Sequence, residues 1–194
     1  MKRGAVYGPW RDDQGEPVTR LILERGPCCR GSGAKPPATA AWLMCNPSRA
    51  GHEIDDPTAG RVVSHSQRFG FPRQLVGNVW PLRTPYPVDL WRMLADDVLS
   101  PAMNAANLDA LAMIGAQASL HIAAFGAEPA RRYSNAVYAA LEAFTNGGAV
   151  PLYCLGTTDD RQPLHPLARG KHAVRKDVEL QPWSAVSVQG SHPR

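Results

Sequence analysis

Four short apolar runs punctuate the chain, and each gives way to a glycine, a proline or a polar side chain. Ala40-Ala41-Trp42-Leu43-Met44-Cys45 leads into Asn46-Pro47-Ser48. Leu75-Val76-Gly77-Asn78-Val79-Trp80 is broken by Pro81, and Leu120-His121-Ile122-Ala123-Ala124-Phe125 stops at Gly126. The fourth run, residues 151–155, stops at Gly156. Continuous apolar runs of this length predict strands covered on both faces. Residues 18–24 alternate, which predicts an earlier strand paired with the one ending at Cys45. Helical patterns fall between the runs, at 58–69, 88–97, 102–118 and 129–144. Thr58 is the expected cap of the first and Gly70 its stop; Pro129 suits the first turn of the last.

Strands alternating with helices predict an α/β fold. The expected architecture is a three-layer α/β/α sandwich around a short, mainly parallel four-stranded sheet, with an extra N-terminal strand or hairpin. One domain over residues 1–183 is expected, with a flexible polar tail at 184–194. Residues 26–37 are rich in Gly, Pro and Cys and read as a loop. Within it Gly31-Ser32-Gly33-Ala34-Lys35 lacks the Gly-Lys-Ser/Thr ending of a phosphate loop, so a flexible connection is expected.

Composition narrows the class without choosing within it. Among 194 residues, 44% are hydrophobic and 20% charged, ordinary for a folded domain. No run reaches the roughly 18 to 20 residues of a membrane span. Met1-Lys2-Arg3-Gly4 leads into Trp10-Arg11-Asp12-Asp13 rather than an apolar signal core, so a cytoplasmic protein with no membrane partner is expected. Four cysteines are too few for a disulfide scaffold, and adjacent Cys28-Cys29 lack zinc or redox spacing. Cys45 and Cys154 end apolar runs and read as buried thiols. A four-cysteine iron–sulfur site is a minor alternative. His165 and His172 stand seven apart with no Glu at metalloprotease spacing, so neither metal nor cofactor is expected.

The net charge of +4 permits a polyanionic partner without requiring one. Arg161, Arg169, Lys171, Arg175 and Lys176 gather around His165, opposed mainly by Asp159, Asp160 and Asp177. A solvated charged stretch is the plain reading; its place beside the candidate site favours phosphate binding.

The candidates for chemistry lie at strand ends, where an open α/β sheet binds its ligands. Asn46 can hold a water or a carbonyl, or make only a local turn bond. Asp55 and Asp56 can accept a proton from water, or Asp56 can simply cap the next helix. Asn78, an amide inside an apolar strand, needs partners for both its polar atoms and can read a base edge. His165 can donate to an anion forming on a leaving group, or be a plain loop residue. Ser48 and Ser66 lack a nucleophile-elbow context.

Taken in order, these elements resemble the uracil-DNA glycosylase superfamily. The motifs concerned are Met44-Cys45-Asn46-Pro47-Ser48, Gly77-Asn78, Phe125-Gly126 running on to Arg131-Arg132, and His165-Pro166-Leu167-Ala168-Arg169-Gly170-Lys171. Asn46-Pro47-Ser48-x-Ala50 with Asp56-Pro57-Thr58 and His165-Pro166-Leu167 is similar to a bacterial and phage domain family without an assigned function, over roughly residues 18–176.

The resemblance implies base flipping in DNA and hydrolysis of an N-glycosidic bond. It implies that Asn46, Asp56 and His165 are catalytic. Asn46, with Asp56 behind it, would place the water, and His165 would stabilise the departing base. It implies that Asn78 and Ser48 line the base pocket, with Phe69, Phe71 or Trp80 stacking on the base. It further implies that Leu167, Arg169, Lys171 and Arg175 engage DNA, Leu167 or Arg169 serving as a wedge. Cys45 stands where the superfamily has Gly. Ser48 stands where uracil-specific members carry a bulky aromatic against the pyrimidine 5-position, so a base enlarged at carbon 5 is expected. Glucosylated hydroxymethylcytosine in phage DNA, excised in antiviral defence, is the functional analogue this suggests. Two other classes stay open: a hydrolase or transferase of free modified nucleotides, and a non-catalytic nucleic-acid-binding module of the same fold.

Overall fold

A computed structural model describes residues 2–27 and 37–184. Cys28, Cys29, the Gly31–Lys35 stretch and residues 185–194 of the expected tail lie outside the described residues.

The described strands form one mixed sheet of seven: β1 (Lys2–Tyr7), β2 (Arg20–Gly26), β3 (Thr39–Met44), β4 (Arg73–Asn78), β5 (Leu120–Ala123), β6 (Leu152–Cys154) and β7 (Gln181–Trp183). Their spatial order is β1-β2-β4-β3-β5-β6-β7. The four apolar runs supply the parallel centre, β4-β3-β5-β6. The sheet has seven strands rather than four: β1 and β2 form the expected N-terminal hairpin, joined antiparallel to β4, and β7 adds an unexpected antiparallel strand at the other edge. Neither β1 nor β7 carries a legible signal. β1, Lys-Arg-Gly-Ala-Val-Tyr, has no apolar run or clean alternation, and β7 is only Gln-Pro-Trp, with Pro182 tolerable because its strand lies at an edge. A second correction concerns β2, which pairs with β1 and β4 rather than with β3. β3 already has β4 on one side and β5 on the other.

The helices are α1 (Pro57–Arg68), α2 (Pro87–Ala95), α3 (Pro101–Gln117), α4 (Ala127–Arg132) and α5 (Ser134–Thr145). Four begin on or just before the expected residues. The helix expected at 129–144 is divided instead, because Tyr133 leaves helical geometry at φ −144°, ψ 58°. Thr58 is not the cap of α1; Asp56 is, its side chain accepting from the Ala59 amide at 2.8 Å. Proline at the first turn of α1, α2 and α3 uses positions whose N–H has no helical partner.

Alternation along β3 divides the core. Ala41 and Leu43 pack with Leu111 and Ile114 of α3 and Leu141 and Phe144 of α5 on one face. Ala40, Trp42 and Met44 pack with Ala59 and Val62 of α1 and with Leu164 and Val174 on the other. Trp42 is fully buried, and its indole N–H donates to the Ser66 hydroxyl at 2.8 Å, which removes the cost of burying it. Gly77 lets α3 close on β4: a Cβ there would lie 2.4 Å from the Leu111 Cδ2 atom. Among the described residues no helix is long and apolar enough to cross a membrane.

Candidate functional site

The connection from β3 leads outward to β4, and the next strand, β5, returns to the other side of β3. That reversal opens a crevice at the carboxyl ends of the parallel strands. A cavity of about 370 Å³ occupies it, and Asn46, Ser48, Asp56, Asn78 and His165 all contribute to its wall. That volume is within the range of small-ligand sites.

The loop after β3 is zipped to the loop after β4. Val79 N–H donates to Met44 O at 2.8 Å, Trp80 N–H to Cys45 O at 3.1 Å and Thr84 N–H to Pro47 O at 3.0 Å. Asn46 adds its side chain, with Nδ2 donating to Thr84 O at 3.0 Å and to Pro47 O at 3.1 Å. Both donor hydrogens are therefore committed to the fold, which leaves Oδ1 as the acceptor Asn46 can offer a ligand or a water. The local bonding expected of Asn46 is present, and the residue also lines the cavity.

Asn78 differs. It is 1% exposed, and among the described residues neither Nδ2 nor Oδ1 has a partner. A donor and an acceptor, both buried and both unmet, stand in the wall of a cavity. Its main chain is held from below: Asn107 of α3, itself buried, donates from Nδ2 to Asn78 O at 3.0 Å and to Val79 O at 3.1 Å.

His165 is partly buried, and Leu167 N–H donates to its Nδ1 at 3.1 Å. Nδ1 must then be the acceptor, which places the proton of the neutral ring on Nε2. Burial lowers its pKa to about 4, against the opposing pull of the Asp56 charge. At neutral pH the ring is an uncharged Nε2 donor. Gly126, at φ 82°, ψ −179°, sits beside it in a conformation open essentially to glycine alone.

Asp56 caps α1 with Oδ1, and its Oδ2 accepts from Ala50 N–H at 3.3 Å. It is both the cap and a cavity wall. Asp55 is turned to other work, bonding the buried Arg25 at 2.6 Å and Arg3 at 3.0 Å. Cys45 also lines the cavity, but burial raises its pKa to about 12, so it stays a thiol rather than a nucleophile.

Residues 22–167 match the family described as "Protein of unknown function (DUF1643)". The chain belongs to that family. No curated protein and no solved structure matches it. The DUF1643 match begins in β2 and ends at Leu167, so it takes in Asn46, Asp56, Asn78 and His165 and leaves out Arg169, Lys171 and Arg175.

Three expected base-stacking residues of this DUF1643 domain stand elsewhere. Phe69 and Phe71 follow α1 and precede β4, at the opposite end of the sheet, where they pack against the second core cluster. Trp80 is buried, edge-on to Trp91 and Tyr133, and does not reach the cavity. Trp91 does reach it, from the helix that follows Trp80. Its aromatic signal was visible in the chain; its aim depends on how α2 docks.

The basic segment is only partly free. Lys171 pairs with Asp159, and Arg175 pairs with Asp177 at 2.9 Å. Exposed pairs of this kind are weak and can yield to a phosphate. Arg169 is exposed and forms no ion pair among the described residues, and Leu167 is 37% exposed.

Sequence reasoning missed Arg20, Trp91 and Asn107. Arg20 looked like one more polar position of an alternating strand, yet it is buried and lines the cavity. Asn107 looked like a polar residue of an ordinary helix. Its α3 neighbours Leu111 and Ile114, four and seven residues on, gave the one clue that this position faces inward.

Proposed function

We propose that the protein is a DNA glycosylase that takes a flipped, modified pyrimidine into the cavity and hydrolyses its N-glycosidic bond. The observation that carries this reading is the buried, unpartnered amide of Asn78, offering one donor and one acceptor to a ligand edge. Asn46 would hold the water through Oδ1, with Asp56 as the carboxylate sharing its cavity. The uncharged His165 would donate from Nε2 to the base as negative charge gathers on it. Trp91 takes the stacking role in place of Trp80. Ser48 in the wall brings no bulky ring, and this supports a base enlarged at carbon 5, glucosylated hydroxymethylcytosine of phage DNA among them.

The exposed Arg169 and Leu167, close in sequence to His165, are the first candidates to hold the duplex and fill the gap left by the flipped base. The pairing of Lys171 and Arg175 with neighbouring aspartates favours a second reading, hydrolysis or transfer on free modified nucleotides, which needs no cationic track.

The test is incubation of purified protein with ordinary, uracil-containing, hydroxymethylated and glucosylated DNA, reading free base by mass spectrometry and abasic sites with an aldehyde probe. A base released from one substrate names the target. No release from any of them defeats the glycosylase reading, and turnover of free nucleotides in its place establishes the second.

A further inference from the structure

A β-bulge decides where Arg20 points. β1 and β2 pair with Val6 opposite Ile22, then with Tyr7 opposite Arg20, so Leu21 is an extra residue. In an unbroken strand Arg20 would share a face with Ile22, which lies in the α3–α5 core. The bulge turns it instead toward Ala50, which belongs to the opposite core, and into the cavity wall. Bulges beside binding sites commonly re-aim one side chain in this way.

The guanidinium that arrives there is only 4% exposed and is incompletely paired. Nη1 donates to Ala50 O at 2.6 Å, while Nε is buried with no acceptor among the described residues. Arg20 makes no ion pair among the described residues. The Asp56 charge exerts the largest attraction on it, but the two are linked through the Ala50 peptide, whose N–H goes to Asp56 and whose carbonyl takes Arg20. Burial lowers the Arg20 pKa to about 10, which still leaves it cationic at neutral pH. A buried cation with unused donors calls for an anion, and the planar guanidinium fits a carboxylate or a phosphate.

We infer that the ligand of this cavity carries an oxyanion, a carboxylate on the base or a phosphate of a nucleotide, held by the Arg20 N–H groups that Ala50 leaves free. The inference deepens the proposed reading of the cavity as a site for a nucleotide base. Arg20 is then the residue that selects acidic ligands over neutral ones.

Calorimetric titration of the intact protein with deoxycytidine, deoxycytidine 5′-monophosphate, 5-carboxydeoxycytidine and inorganic phosphate tests this. At least one of the two acidic nucleoside ligands should bind tenfold or more tightly than deoxycytidine, and Arg20→Gln should erase that difference. Preference for the monophosphate or for the carboxylated base identifies which oxyanion is taken. Should Arg20→Gln fail to fold, the charge-keeping Arg20→Lys and the wild-type Arg Nε–H resonances, read by NMR during the same titrations, decide instead. Equal affinity for acidic and neutral ligands, no binding of the acidic ones, or a preference that survives Arg20→Gln overturns the inference. An absence of base release from DNA would sink the glycosylase reading while leaving this binding preference intact.

Discussion

Asn107 on α3 donates both to the carbonyl of Asn78 at 3.0 Å and to that of Val79 at 3.1 Å, tying a helix to the strand end that delivers the cavity's unpartnered amide. Removing it strands two carbonyls away from water. Asn107→Ala is expected to cost about 1–3 kcal/mol in urea unfolding, the usual penalty for buried unmet groups. Ligand affinity at the cavity should fall with it. A stability change within about 0.5 kcal/mol, the range of neutral surface substitutions, would show that Asn107 does not carry this strand end.

Asn46 is an asparagine for a structural reason, since its Nδ2 donates to the Thr84 and Pro47 carbonyls. Asn46→Asp would set a carboxylate against the Thr84 and Pro47 carbonyls that now receive Nδ2. The expected outcome is lower stability, by about 1–3 kcal/mol, and not a stronger base. Asn46→Ala should keep the far-ultraviolet dichroism of the wild type. If the glycosylase reading is right, it should slow base release by roughly 100-fold or more, the scale of losing one preorganised polar group. Near-full activity in Asn46→Ala would remove it from the chemistry.

His165 offers a test that needs no substrate. Nitrogen-15 NMR at pH 7 should show Nε2 protonated and Nδ1 bare, and the titration midpoint should lie near 4, well below the ordinary 6.5. The folded state prefers the neutral ring, so the stability linked to His165 is fully present above about pH 6.5. It is lost as the pH falls from there through about 4, because the unfolded chain takes up the proton first. A midpoint near 6.5 would mean that the ring is not held in a desolvated site.

Two close approaches differ in what they meet. An alanine Cβ at Gly115 would lie 2.2 Å from the Phe144 carbonyl oxygen, which is backbone, so α3 and α5 would have to separate. At Gly77 the clash is with the Leu111 and Ile114 side-chain ends, which can rotate. Gly115→Ala should therefore lower the thermal midpoint more than Gly77→Ala does, by an overpacking cost of about 1–3 kcal/mol or above. The reverse order would mean that the helices part more easily than the core repacks.

On the glycosylase reading, Arg169→Ala should weaken DNA binding and reduce the log–log salt slope by about 1, the signature of one lost phosphate contact. Lys171→Ala and Arg175→Ala should cost less, since each cation must first leave an aspartate. A slope unchanged in Arg169→Ala would remove Arg169 from the proposed DNA path.

The sequence by itself determined the parallel centre of the sheet and the strand ends that wall the cavity. Both follow from local signals: an apolar run long enough for a strand, then a glycine, proline or polar residue. Asn46, Asp56, Asn78 and His165 could be marked because each lies at or just beyond such an end, and the fold brings all four to one cavity. What depended on distant partners could not be read along the chain. Residues 18–24 announce a strand but not that it pairs with β4, and β7 is too short to have a period. Phe69, Phe71 and Trp80 looked suitable for a base and Trp91 drew no notice, until the connectivity put two at the far end of the sheet and α2 packed over the third. Arg20 is the sharpest case. One unpaired residue in a hairpin register turned it from one core into a cavity on the other side, a choice made by its pairing with β1 and not by its neighbours in sequence.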